Sequence, residues 1–225
     1  MSPDTFQKIE TLIRVTTDTY FESFLIKAPK ENHERARIYY DRDVNRMTQY
    51  CYEFHEKQKP FLITEDFIKG LHKTFYPEGY IQNYTDENGK ESVWMIPWEY
   101  RNIDLRAMNT ENKDIYASRT VVSREMKKIT DIFNRRMNES LNKAITREII
   151  LLFIIDYIFI HPFSDGNGRV GAILSDLLCY ECNVKPFYFY KIRKIDRKGL
   201  DIALNEFRAN QNITPFYEFI EKYSN

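Results

Sequence analysis

The chain has 225 residues, room for one large domain, and its 43% hydrophobic content with 16 Tyr and 16 Phe can build a sizeable core. Lysine plus arginine equals aspartate plus glutamate at 33 each, a balance that argues against a general nucleic-acid coat or a binder of acidic membranes. Three cysteines (Cys51, Cys179, Cys182) and an N-terminus of Met1-Ser2-Pro3-Asp4, without the order of a secretory leader, predict reduced thiols and a cytoplasmic setting.

Residues 4–26 carry Phe6, Ile9, Leu12, Ile13, Tyr20 and Phe24 at helical spacing, and Pro29 ends the pattern. A second helix is predicted over 33–56. Thr64, with acidic residues behind it, reads as the N-cap of a third helix running to Phe75. Between 76 and 118 the periodicity is lost: Pro77, Gly79, the polar run 85–90 and Pro97 interrupt it, and Val93–Ile96 is apolar without helical spacing. Two short extended pieces, 101–108 and 115–121, flank a polar turn at 109–114 and predict a hairpin. Helices resume at 123–138 and 146–160. The apolar run 149–160 is broken by Asp156 and falls short of the roughly 20 residues that span a bilayer, so it reads as a buried helix. A loop at 161–167, a helix at 168–182, an irregular stretch at 183–193 and helices at 196–209 and 214–223 complete a mostly helical chain without repeats or linkers.

The chemistry gathers at one turn. Only seven glycines occur, and three of them, Gly166, Gly168 and Gly171, fall within six residues. The segment His161-Pro162-Phe163-Ser164-Asp165-Gly166-Asn167-Gly168-Arg169 joins the buried helix to the next one. A glycine-rich turn feeding a helix N-terminus offers free backbone N–H groups and partial positive charge, which suits phosphate. Arg169 adds a guanidinium fork. Asp165 is a carboxylate placed for a magnesium ion that also touches phosphate oxygens. His161 is a proton acceptor suited to neutral pH. A histidine ending a helix, or a glycine turn, occurs in many inert connections. Base, carboxylate, amide nest and arginine within nine residues are what make this segment a site.

From His161 to Arg169 the segment resembles the signature of the Fic family, His-x-Phe-x-Asp/Glu-Gly-Asn-Gly-Arg-x-x-Arg, and the resemblance extends over about 95–223, with Tyr100-Arg101 before the expected hairpin and 214–223 as a closing helix. It implies an all-α, Fic-type helical domain with a short β-hairpin flap near the active site, residues 95–225 forming the catalytic core and 1–94 adding helices packed on it. It also implies a protein adenylyltransferase. His161 would deprotonate a Ser, Thr or Tyr hydroxyl of a target protein, with the chain itself among the candidate targets. Phe163 would anchor the loop in the core, and Asp165 would hold magnesium bridging the α- and β-phosphates of ATP. Gly166, Asn167 and Gly168 would cradle the phosphates and Arg169 would neutralise the leaving pyrophosphate. No nucleic-acid or membrane partner is expected.

The chain departs from the signature at its last position, where Ala172 stands for the second arginine. In relatives that arginine grips the γ-phosphate and pairs with an inhibitory glutamate, so the γ-phosphate must be held otherwise, or the donor is another nucleotide or phosphate-linked group, or the chain is a low-turnover nucleotide-binding regulator. For an inhibitory helix, Thr214–Glu218 has the spacing but is followed by Phe219, and Glu31-Asn32 has Lys27 where Ser or Thr is wanted. The pair Cys179-x-x-Cys182 lacks two further ligands at matching spacing for zinc. The basic run 191–198 reads as a solvated face, and His33, His55 and His72 as ordinary helical residues.

Overall fold

The computed structural model describes residues 3–27, 29–57, 62–86, 89–105, 116–140 and 142–223. Among them the apolar periodicity becomes eight helices: α1 (Pro3–Lys27), α2 (His33–Lys57), α3 (Glu65–Phe75), α4 (Val122–Glu139), α5 (Lys143–Ile160), α6 (Asn167–Glu181), α7 (Phe189–Asn210) and α8 (Ile213–Tyr223). Two strands, β1 (Tyr80–Asp86) and β2 (Gly89–Met95), pair antiparallel in register from Tyr80 opposite Met95 to Asp86 opposite Gly89. The fold is all-α with one small hairpin. No helix among the described residues is long and apolar enough to cross a membrane.

The hairpin is not where sequence spacing puts it. Residues 101–105 and 116–118 are irregular and Arg119–Val121 is a short 3-10 turn; the rest of the expected hairpin, 106–115, lies outside the described residues. The strands instead bracket residues 87–88, which lie outside the described residues. Helix ends follow capping chemistry. Thr64 accepts from Phe67 N–H at 3.1 Å, as expected. α5 starts three residues before Thr146, because Asn142 accepts from the N–H groups of Ala144 and Ile145, both at 3.0 Å. α7 begins seven residues early and breaks at Asp196 (φ −146°, ψ 69°), whose carboxylate accepts from Gly199 N–H at 2.8 Å and so caps the second half.

α5 is the axis of the core. Ile150, Leu151, Ile154, Ile155 and Tyr157 are buried, and α5 packs against α4 on one side and α6 on the other. α6 is in turn covered by α1 and touched by α3. One apolar cluster runs from Ile9 and Ile13 of α1 to Phe216 and Ile220 of α8. Each fully buried Ile or Leu contributes about 1.5–3 kcal/mol relative to exposure. Gly171 permits the close approach of α5 and α6: a Cβ there would stand 3.1 Å from Ile158 Cδ1 and 3.2 Å from Tyr157 Cε1. The α5–α6 pair thus fixes both ends of the turn that carries the chemistry.

Candidate active site

α5 ends at His161, which takes left-handed backbone angles (φ 52°, ψ 61°). Histidine tolerates this region better than most residues, and Pro162 prevents the helix from continuing. The last four carbonyls of α5, which a helix end leaves without intrahelical partners, are all satisfied around the catalytic candidate. Tyr157 O accepts from His161 N–H at 2.9 Å and Ile158 O from His161 Nδ1 at 3.2 Å. Phe159 O accepts from Ala117 N–H at 3.1 Å and Ile160 O from Arg101 Nη2 at 3.3 Å.

These bonds set the imidazole's chemistry. A carbonyl oxygen can only accept, so Nδ1 carries the proton and Nε2 keeps its lone pair. Burial pushes the ring pKa down to about 4, with the Arg101 charge acting in the same direction and the Ile158 carbonyl and Asp165 opposing it. The ring is half-buried and stacks on Tyr116, centroids 3.9 Å apart. At neutral pH His161 is therefore an oriented, uncharged base.

The turn that follows is locked from inside. Phe163 is fully buried and stacks on His72 at 3.9 Å, so the expectation that it anchors the loop holds. The Asn167 amide closes the loop on itself, accepting from Phe163 N–H at 2.9 Å and donating to Phe163 O at 2.6 Å. Its side chain is thus committed to the loop. Gly166 sits at φ 79°, a conformation that favours glycine; a Cβ there would also meet Tyr76 at 3.1 Å and His72 at 3.3 Å. α6 starts directly after it, so the first-turn N–H groups of Asn167 and Gly168 have no intrahelical acceptor.

Asp165 and Arg169 are in place but engaged. Asp165 Oδ2 accepts from Tyr76 Oη at 2.5 Å and from Arg169 Nη2 at 3.0 Å, and Arg169 also donates to Tyr76 Oη. Burial alone would raise the Asp165 carboxyl, but Tyr76, Arg169 and the Gly166 N–H hold it below the usual carboxylate value. Its side chain is 60% exposed and ionised, an oxygen donor of the kind a hard divalent cation takes. The expected residues thus lie along one turn and the first turn of α6, with Asp165 and Arg169 paired to each other and to Tyr76.

The supports are not legible as such in the sequence, where Arg101 stands out only by its place before the expected hairpin. His72, read as an ordinary helical residue, sets Nε2 2.9 Å from Asp165 O and Nδ1 against Pro97 O, and burial pushes its pKa down to about 4. Arg101 is a buried clamp: Nε donates to His161 O at 2.8 Å, Nη1 to Ile103 O at 2.7 Å and Nη2 to Ala117 O, while its own N–H donates to Pro162 O at 2.9 Å. Tyr76 and Tyr116 complete the ring. None of these lies within 40 residues of the turn in sequence, so no local spacing could have announced them. A cavity of about 420 Å³, lined in part by Tyr116, Ala117, Phe159 and Ile160, adjoins the histidine end of α5.

The family model for the Fic/DOC family matches residues 62–179, just over half of the chain, from the approach to α3 through the hairpin and the turn into α6. Among solved structures, a Fic domain containing signaling protein from Bacteroides thetaiotaomicron shares 16% identity at a TM-score of 0.65, covering 100% of this chain and 86% of that one. A Fic family protein from Desulfovibrio desulfuricans shares 16% identity at a TM-score of 0.59, covering 96% of this chain and 63% of the other. BepC from Bartonella tribocorum, solved with bound AMPPNP, shares 17% identity at 0.52, covering 84% and 87%. At these identities the likeness is one of fold.

Proposed function

The chain belongs to the Fic/DOC family, and we propose that it is a protein adenylyltransferase, moving AMP from ATP to a Ser, Thr or Tyr hydroxyl of a target protein. The observation that carries this is the His161 ring, whose Nδ1–H is held by Ile158 O so that Nε2 is a fixed, unprotonated acceptor in the same turn as the amides of Asn167 and Gly168.

In the proposed reaction Nε2 takes the hydroxyl proton as the oxygen bonds to the α-phosphorus, and the bond from that phosphorus to the bridging oxygen breaks. Pyrophosphate leaves and AMP stays on the target. The N–H groups of Asn167 and Gly168 and the positive end of α6 favour the charge of the phosphates. Arg169, released from Asp165, has the planar fork to neutralise the departing pyrophosphate. Asp165, the one carboxylate of the turn, would hold magnesium by an oxygen, and the metal when bound would screen phosphate charge and leave Arg169 free to turn to the anion. The BepC structure with AMPPNP supports a nucleotide as the ligand of this fold.

A second reading keeps the fold and changes the donor. It is favoured by Ala172, 4% exposed within α6, where the signature has an arginine. Intact-mass measurement after incubation with magnesium and ATP should show a gain matching AMP on the chain or on an added target. His161→Ala should abolish it while leaving the melting curve within a few degrees. Equal incorporation by wild type and variant would remove the proposal. A larger gain with GTP, CTP or UTP than with ATP would select the second reading.

A further inference from the structure

Three guanidinium groups stand near the nest, and two are committed. Arg101 is spent on backbone carbonyls and Arg169 on Asp165 and Tyr76. The third is Arg193, from the first half of α7. A Cβ built on Gly168 would lie 3.7 Å from Arg193 Nη1 and 3.8 Å from Tyr190 Oη. Tyr190 and Arg193 are three residues apart and so share one face of that short helical stretch. The left-handed Tyr188 (φ 54°) opens this stretch, and the break at Asp196 separates it from the rest of α7. The Arg193 charge also opposes the burial that raises the hydroxyl of Tyr116, the ring stacked on His161. Among the described residues no carboxylate pairs with it, and it is exposed.

We propose that Arg193, with the Tyr190 hydroxyl beside it, binds the distal phosphates of a nucleoside triphosphate seated on the Gly166–Gly168 amides. This rests on the reading of that turn as a nucleotide site. Arg193 faces the nest from α7, and Arg169 joins it from α6 once magnesium releases it from Asp165, so a polyphosphate lying across Gly168 is held between two guanidinium groups on different helices, and a monophosphate reaches only the amides. Arg193 thus makes the site selective for triphosphate over monophosphate, in a chain whose α6 carries Ala172 one turn beyond Gly168.

Titration calorimetry with AMPPNP, AMP and inorganic tripolyphosphate, each with magnesium, tests this on the wild type, Arg193→Ala, Arg193→Lys and the control Arg197→Ala. Arg193→Ala should weaken AMPPNP and tripolyphosphate about 10-fold or more, the loss expected for one charge-assisted contact, and leave AMP within about twofold. Arg193→Lys should fall between, having the charge without the planar fork. Arg197→Ala, which removes an exposed pair with Asp201, should bind as wild type does. Equal AMPPNP affinity in wild type and Arg193→Ala, or equal losses for AMP and AMPPNP, overturns the assignment of Arg193 alone. Wild type that binds none of the three overturns the nucleotide reading, and this assignment with it.

Discussion

At the scale of single residues, His161 is defined by what holds it. Its pKa, pushed down to about 4 by burial, keeps Nε2 available as a base through the whole neutral range. A lowered pKa shifts the acid limb of the rate profile downward. Transfer should be flat between about pH 6 and 8 and fall only below about pH 5, whereas an ordinary histidine would already have lost half its rate near its usual value of about 6.5. A profile under saturating donor that halves near pH 6.5 contradicts this environment. Asn167 offers a second test. Removing its amide leaves the buried N–H and C=O of Phe163 unpaired, at about 1–3 kcal/mol each. Asn167→Ala should therefore lower the melting midpoint by roughly 5–15 °C, and calorimetric scans showing no change would deny it that role. The nine residues of the turn were legible because they are contiguous and their chemistry is complete in one stretch. His72, Tyr76, Arg101 and Tyr116 were not, because they reach the turn through packing across 45 to 93 positions of sequence.

At the scale of elements, helices were read well where a cap or a long apolar period marked them, as in α3, α4 and α8. They were misread where two caps competed. Thr146 has the look of a helix start, but its hydroxyl donates to Asn142 O at 3.0 Å from inside the first turn, and Asn142 takes the capping position. The hairpin was placed too late, because the polar run 85–90 reads as an interruption until the pairing of its flanks is seen. The α5–α6 contact carries the most weight, since it sets the distance between the base and the nest. Gly171→Leu would force side-chain atoms into Ile158 and Tyr157, and overpacking of this kind costs about 1–3 kcal/mol. Transfer activity should fall more steeply than stability, because moving α6 by even 1 Å misplaces the amides relative to His161. A variant with normal kcat and a lowered Tm would mean the helix spacing is not what positions the chemistry.

At the scale of the whole molecule, α1 and α2 lie ahead of the region matched by the family model, yet they are not appendages. Ile9 and Ile13 are fully buried in the shared core, and the Thr16 hydroxyl donates to the buried Asp176 carboxylate of α6 at 2.7 Å. α1 thereby covers the back of the helix whose front forms the nest. A chain lacking residues 1–57 should lose its cooperative thermal transition and near-ultraviolet circular dichroism while keeping much of its helix content. A sharp transition in the shortened chain would show that the remaining helices suffice.

The closure of residues 163–167 by a single amide has a consequence for kinetics. Five residues that would otherwise sample many conformations are confined when the chain folds, so their ordering entropy has already been lost before any ligand arrives. Association should then be a one-step encounter, with an observed rate that climbs linearly with nucleotide concentration and no plateau from a slow loop rearrangement.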